Sequence, residues 1–518
     1  MGRKRKDMKL QKLLFGLAAL CAVGCVNRPE CLTVGPTYEE PDIVAHDAPP
    51  PDAGYPTTNK TATGEFAPAA TNDDPRMTLS PEAIVSWWCR FDDPILTNLV
   101  SMAVSNNLSY AMAKARLMQA RWQLLGRASA LLPHLDLSGS ARSSEAHRNN
   151  SSLYSSHQAN GTRAKHAHLY KSGFDASWEI DIFGGVSREV QAAYANVEAA
   201  EYTLADAWVS LTAEIGRSYI SLRTVQERLK VARANLKLQS ETYDILKSRL
   251  DSGIGDELAV NQAKYNVEQT RASIPNLLTQ QETYENALAI LAGTMPGALH
   301  DYLKDPPARD WLIAPQKLET IPLDLMRGRP DVKAAERALA AQVASVGVAV
   351  SYLYPKFYLN GSLGLESVKM QKFLGRGSLY SWIGPSISWP IFQGGNIVAN
   401  IRAEEEKMNE AALKYELALQ NAFAETRNAY AAYTQEYHRY QSLQGAVKSA
   451  RDAVNISQDL YKNGLADFNN VLDAQRSLLT FEEALTISRG QITQDLISLF
   501  KALGGGLAYQ ETAEKDNP

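Results

Sequence analysis

The sequence predicts a mainly α-helical chain with a β-barrel part: four strands per chain cross a membrane, and very long helices continue from them as antiparallel coiled-coil hairpins. Three observations carry this. The first is an internal two-fold repeat. Ser177-Trp178-Glu179-Ile180-Asp181-Ile182-Phe183-Gly184-Gly185 returns as Ser388-Trp389-Pro390-Ile391-Phe392-Gln393-Gly394-Gly395, an offset of 211, and the same offset carries Gly253, Asp256, Val260 and Ala263 onto Gly464, Asp467, Val471 and Ala474. The second is a pair of proline-free runs, between Gly185 and Gly253 and from 396 to 463, each with a single interior glycine. The third is period-two alternation of apolar and polar residues directly before each run. A repeat of this length is a duplicated half-molecule, far longer than any solenoid unit.

At the start of the chain, Arg3, Lys4, Arg5, Lys6, Lys9 and Lys12 precede an apolar run at 13–23, the order of an export signal. Residues 1–24 read as a signal peptide. Ala22-Val23-Gly24-Cys25 resembles a bacterial lipoprotein cleavage box, which makes Cys25 the lipidated N-terminus; ordinary cleavage after a small residue is the alternative. Residues 25–84 hold ten of the 23 prolines among Ala, Thr, Asp and Gly, the composition of an extended tether, and globular structure is expected to begin near Trp87-Trp88. Cys31 and Cys89 read as two separate thiols. A net charge of −4 and a pI near 6.1 give no electrostatic case for nucleic acid.

Past Cys25 no apolar stretch reaches the ~20 residues of a helical span, so any crossing is left to strands. Leu135, Leu137, Gly139 and Ala141 alternate with His134, Asp136, Ser138, Ser140 and Arg142. Phe174, Ala176, Trp178, Ile180 and Ile182 alternate with Asp175, Ser177, Glu179 and Asp181. In the second half Phe357, Leu359, Gly361, Leu363 and Leu365 oppose Tyr358, Asn360, Ser362 and Glu366, and Ile383, Pro385, Ile387, Trp389 and Ile391 form the last apolar row. One strand of this kind also suits a half-buried soluble sheet; four of them joined to long helices in an exported chain favour lipid outside and water inside. Four strands leave open edges that lipid does not tolerate, so the chain must oligomerise, two copies giving eight strands and three giving twelve.

Each proline-free run is rich in Ala, Leu, Glu, Gln, Arg and Lys and reads as one helix, about 100 Å long at 1.5 Å per residue. Each ends at a glycine turn, Gly253 and Gly464, and a returning helix follows, from Glu257 to about Leu291 and from Phe468 to about Ala502, giving two antiparallel hairpins packed as coiled coils. The segment from Ser143 to Ser172, rich in Ser, Asn and His, is the expected outward loop. Its His147, His157, His166 and His168 read as solvated side chains, and no metal or cofactor is assigned. Nucleophile elbows, phosphate loops and metal-ligand spacings are absent, which argues against an enzyme.

Five motifs in order carry a family resemblance: Cys31-Leu32-Thr33-Val34-Gly35-Pro36-Thr37-Tyr38, Trp87-Trp88-Cys89-Arg90-Phe91-Asp92-Asp93-Pro94-Ile95-Leu96, Arg327-Gly328-Arg329-Pro330-Asp331-Val332 with Ala334-Ala335-Glu336, Gly347-Val348-Ala349 to Tyr354-Pro355, and Asp473-Ala474-Gln475-Arg476. From Cys25 to about Gly506 the chain resembles the outer membrane efflux proteins of the TolC and OprM type, in the NodT-like branch of lipoproteins that serve resistance-nodulation-division pumps. The resemblance implies a homotrimer with a twelve-stranded barrel in the outer membrane and a twelve-helix periplasmic tunnel. It also implies a periplasmic membrane-fusion adaptor and an inner-membrane pump as partners, and passive conduction of small toxic compounds or drugs. The first repeat is placed at 85–300, the second at 301–506, and a polar tail at 507–518.

By the same resemblance the closed periplasmic gate falls to Tyr461, Asn469, Asn470, Asp473 and Arg476, and adaptor docking to the hairpin tips at Gly253, Gly255, Gly464 and Asp467. Asn469 and Asn470 stand where the family often has leucine or aspartate, and Ala466 where one branch has arginine, so the gate is expected to be held by fewer ionic links. An exit duct for type I protein secretion and a non-conducting envelope scaffold are the alternative functions.

Overall fold

The structure is a computed structural model that describes residues 33–39, 86–145, 166–304, 326–463 and 465–505. Cys25, Cys31, His147, His157 and Gly464 lie outside the described residues. The chain divides into two compact units, each taking segments from both halves of the repeat: Met1–Pro41, Leu117–Ala200 and Ala335–Tyr415 form one, and Asp42–Arg116, Glu201–Ala334 and Glu416–Pro518 the other.

The first unit contains the sheet. Strands β1 (His134–Glu145), β2 (His166–Ile180), β3 (Lys356–Ser367) and β4 (Leu379–Ser388) pair antiparallel in the order β1-β2-β3-β4. The register sets Leu137, Phe174 and Leu363 side by side on one face, and Asp175 directly opposite Ser362 on the other. The apolar face is bare: Leu137 is 70% exposed and Ile383 76%, with Leu135, Phe174, Leu363 and Ile387 also exposed. A soluble sheet would bury such a row at roughly 1.5–3 kcal/mol per side chain, whereas here the row suits lipid. On the opposite face the polar side chains bond across all four strands. Ser138 and Ser362 donate to Asp175 at 2.7 Å each, Ser362 meets the Tyr380 hydroxyl at 3.1 Å, and Asn360 links Ser177 (2.8 Å) to Ser386 (2.9 Å).

Two strand expectations need correction. Alternation placed His166 and His168 in a loop and began the second strand near Phe174; both histidines belong to β2, which pairs through His166 with Glu145. The last strand ends at Ser388, so Trp389 and Ile391 follow it. Backbone pairing continues past the apolar band because ladder hydrogen bonds need no oily side chains, whereas alternation is legible only where one face meets lipid.

The repeated Trp and Pro motifs prove to be one joint made twice. Trp178 Nε1 donates to the Leu131 carbonyl at 3.0 Å, and Trp389 Nε1 to the Leu353 carbonyl at 3.1 Å, each acceptor lying two residues before the repeated proline. Asp181 then starts the first long helix by accepting from Val186 N (3.2 Å), Ser187 N (2.7 Å) and Ser187 Oγ (2.6 Å). Residues 33–39 dock beside this start: buried Arg188 donates to the carbonyls of Val34 (3.4 Å) and Gly35 (3.3 Å), and Tyr38 OH donates to Glu336 at 3.1 Å.

The described α-helices are α1 (Pro94–Asn106), α2 (Leu108–Ala128), α3 (Gly185–Asp251), α4 (Glu257–Leu291), α5 (Pro330–Ser351), α6 (Asn396–Lys462) and α7 (Phe468–Ala502), with a single helical turn at His300–Leu303 and short 3-10 helices at Trp87–Phe91, Ser129–Leu131, Met370–Lys372 and Arg376–Ser378. Both α3 and α6 have 67 residues, and both returning helices have 35. Sequence reasoning missed Pro275 inside α4.

The second unit is built on side chains of the family motifs. Asp93 caps α1 through Ile95 N (2.9 Å) and Leu96 N (3.3 Å) and accepts from Tyr219 OH at 2.6 Å. Burial, opposed by the charge of Arg223, pushes the Tyr219 hydroxyl well above its ordinary pKa. Trp87 stacks on Phe500 at 6.2 Å and lies over Gly216, where an added Cβ would sit 2.4 Å from the indole. Buried Arg329 donates to Asp331 (3.0 and 2.7 Å), to Glu425 (2.7 Å) and to the Ala502 carbonyl (2.8 Å), tying the start of α5 to α6 and α7. Beside it, burial and then the charge of Asp331 raise the carboxyl of Asp206 above the usual carboxylate range.

Candidate functional site

The candidate site lies at the hairpin tips, inside the second unit. Helix α3 ends in a left-handed residue, Gly253 (φ 77°), with Gly253 N donating to the Leu250 carbonyl (2.8 Å) and Ile254 N to the Arg249 carbonyl (3.1 Å). This paired closure needs a residue free of the Cβ penalty at its left-handed position. The outer of the two bonds recurs at the second tip, where Leu465 N donates to the Leu460 carbonyl at 2.8 Å, 211 residues on. Ile254 and Leu465 are related by the same offset and both are exposed.

The tips also differ. An added Cβ at Gly255 would lie 2.4 Å from Leu250 N, so that turn admits no side chain, while its counterpart is Ala466. Asp256 caps α4 by accepting from Leu258 N at 3.0 Å; Asp467 holds the same place before α7 without a side-chain cap.

Among the gate residues assigned by resemblance, Tyr461 is half-buried against Phe468 (5.4 Å) beneath the Arg249 guanidinium (5.4 Å). It packs on a cluster from three helices: Leu246 of α3, Ala259, Val260 and Ala263 of α4, and Phe468, Val471 and Leu472 of α7. Asn469, Asn470 and Asp473 are exposed. Asp473 and Arg476 form a stretched ion pair of 3.9 Å, worth at most about 0.5 kcal/mol at such exposure.

The stronger partners of Arg476 lie on α4. Its Nε and Nη2 donate to Asn266 Oδ1 at 3.1 Å each, Nη2 also donates to the Tyr265 hydroxyl, and the guanidinium lies 5.2 Å over the Tyr265 ring. Tyr265, Asn266 and Arg249 were missed by sequence reasoning. The repeat held a signal for one of them, since the 211 offset maps Tyr265 onto Arg476.

Glu282, Glu285 and His300 bring one potential ligand atom each within 4.8 Å. Both oxygens of Glu285 and one of Glu282 are already engaged: Glu285 accepts from Gln281 (2.7 Å) and sits 2.7 Å from His300 Nδ1, and Glu282 accepts from Asn286 (3.1 Å). The cluster is a clamp that folds residues 293–304 back onto α4. Cys89, far from these groups in the chain, is a free exposed thiol.

A sheet bare of cover on its oily face and hydrogen-bonded across its polar face, whose strands run directly into 67-residue helices, defines a membrane channel made of strands and coiled coil. No helix among the described residues is long and apolar enough to cross a membrane. The chain belongs to the outer membrane efflux protein family, whose model matches residues 99–294 and 322–505. It is an outer-membrane efflux channel, not an enzyme.

Nodulation protein T of Rhizobium leguminosarum bv. trifolii is 28% identical over 96% of this chain and 98% of its own length. Outer membrane protein OprJ of Pseudomonas aeruginosa is 29% identical over 96% and 97%. The solved outer-membrane channel OprN superposes with a TM-score of 0.79 at 31% identity, covering 92% of this chain and 99% of that one.

Proposed function

We propose that three copies of the chain close a twelve-stranded barrel continued by twelve long helices, and that this trimer is the exit duct of a tripartite system that expels small toxic compounds or drugs. The observation that carries the proposal is the sheet: four strands with β1 and β4 as outer edges, one face apolar and exposed, the other a hydrogen-bonded polar surface. Edges are not tolerated in lipid and four strands are too few for any known spanning barrel, so the edges must meet those of further copies. Four tunnel helices per chain, α3, α4, α6 and α7, supply the twelve.

The tips around Gly253, Gly255, Gly464 and Asp467 dock a periplasmic adaptor, which links the duct to an inner-membrane pump of the resistance-nodulation-division type; exposed Ile254 and Leu465 offer apolar contacts there. Tyr461, Asn469, Asn470, Asp473 and Arg476 hold the tip closed at rest. Residues 1–24 direct export, and Cys25 carries lipid at the head of the tether. A mass measurement in detergent is expected to give three chains, and planar bilayers are expected to show single-channel current once the tip is loosened. A dimer would refute the stoichiometry, and a trimer without current would refute the duct.

A further inference from the structure

We propose that the β3–β4 loop, residues 368–378, is a binding surface for lipid headgroups of the outer leaflet whose phosphate leaves them with a net negative charge. It rests on the outer-membrane placement of the chain. Trp178 and Trp389 are anchored at the end of the sheet that runs into the helices, the level at which aromatic girdles mark a membrane interface. From that level β3 runs 12 residues to Ser367. At ~3.4 Å per residue and a tilt of ~40° this advances roughly 30 Å along the membrane normal, slightly more than the ~25 Å apolar band of such barrels. The loop therefore emerges at the opposite headgroup layer.

Its composition matches that layer. Between Ser367 and Ser388 there are three cations, Lys369, Lys372 and Arg376, and no acid, in a chain whose net charge is −4. All three cations are exposed, and none is ion-paired among the described residues. Interleaved with them are exposed Val368, Met370 and Leu374, the last 85% exposed, and Leu379 continues them into the apolar row of β4.

The loop is held in shape by its own backbone. The Lys372 carbonyl accepts from Gly375 N (2.9 Å) and Ser378 Oγ (2.7 Å), and Lys372 N donates to the Lys369 carbonyl (3.1 Å). Cations on an ordered loop beside aliphatic side chains suit a surface that is anionic at headgroup level and oily just below, and three copies would ring the barrel with about nine cations.

Native mass spectrometry of the full-length protein in neutral detergent, titrated with phosphatidylglycerol or phosphatidylcholine, tests this. The wild type is expected to retain roughly threefold or more phosphatidylglycerol than phosphatidylcholine at equal concentration, a preference that rising salt erodes. In Lys369→Gln/Lys372→Gln/Arg376→Gln the ratio is expected to fall close to one, whereas Lys237→Gln/Lys448→Gln, exposed lysines on α3 and α6, leaves it unchanged.

Equal retention of both lipids by the wild type, an undiminished ratio in the triple variant, or displacement of the lipid by inorganic phosphate alone would each overturn the proposal. If the triple variant does not assemble, the wild-type salt series decides, since a ratio that does not move with salt is not electrostatic. The same spectra count chains, so failure of the trimer and failure of the lipid surface are read separately.

Discussion

At Gly216 a single distance decides what the position tolerates. A Cβ there would fall 2.4 Å from Trp87 and 3.2 Å from Ile497, and both the tryptophan and its stacking partner Phe500 are fully buried. Gly216→Leu is therefore expected to destabilise by about 3 kcal/mol, the upper range for overpacking a core, and to lower the thermal midpoint of the detergent-solubilised protein. Gly445→Leu, with open space at its Cβ, is the control. The sequence shows Gly216 as the one glycine inside a 67-residue helix, but nothing in a helical period pairs position 216 with position 87. Arg329 was likewise legible only as part of a motif with proline in the first helical turn; its ties to Glu425 and the Ala502 carbonyl join segments about 100 and 170 residues downstream. His300 carries a titration. Its hydrogen bond to Glu285, then the charges of Glu285, Asp301 and Glu282, raise its pKa above the ordinary 6.5. A raised folded value means that stabilisation is complete below 6.5 and lost as pH climbs through the folded value. The thermal midpoint is expected to drop across that window in the wild type and to lose this component in His300→Gln; parallel profiles would show the pair to be silent.

Helix ends were the most legible elements, because glycine and aspartate mark them: the returning helices begin at Glu257 and Phe468, where the sequence positions of Gly253 and Gly464 led them to be expected. Strand extents were less so. Hydrophobic alternation reports a face in contact with lipid, and β1 and β2 pair beyond that face, through Ser143 with His168 and Glu145 with His166. A second element-scale feature is invisible to alternation altogether. Gly173 and Gly364 face each other across β2 and β3, and a Cβ on Gly364 would lie 2.5 Å from the Ser172 carbonyl oxygen and 2.7 Å from Gly173 Cα. The close approach draws the two central strands together on the polar face, where the Lys171 ammonium lies 4.9 Å over the Tyr380 ring. Gly364→Val is expected to break the β2–β3 pairing and sharply reduce the heat-resistant oligomer seen by gel electrophoresis, whereas Gly384→Ala, whose Cβ meets nothing within 4 Å, should assemble normally.

For the whole molecule, the repeat becomes physical where Tyr265 and Arg476, positions related by the 211 offset, touch each other. Arg476 thus links the two hairpins of one chain through Tyr265 and Asn266, while its ion pair with Asp473 is long and exposed. In the proposed coaxial trimer three copies of Asp473 would converge at the narrow end, where like charges across little water would have to be balanced by Arg476 or by cations. Two separable effects follow. Asp473→Ala removes the acidic ring, so it is expected to loosen the closed tip, raise single-channel conductance and lower cation selectivity. Arg476→Ala removes the inter-hairpin link and leaves the ring uncompensated, so conductance should rise while cation preference increases. Tyr265→Phe takes away only one acceptor of the Arg476 guanidinium, and it should raise conductance slightly with selectivity unchanged. Planar-bilayer currents under a salt gradient measure both quantities for all three variants. If none of them changes either quantity, Asp473 and Arg476 are ordinary surface residues, and closure rests on the apolar cluster that Tyr461 and Phe468 share with Leu246, Val260 and Val471.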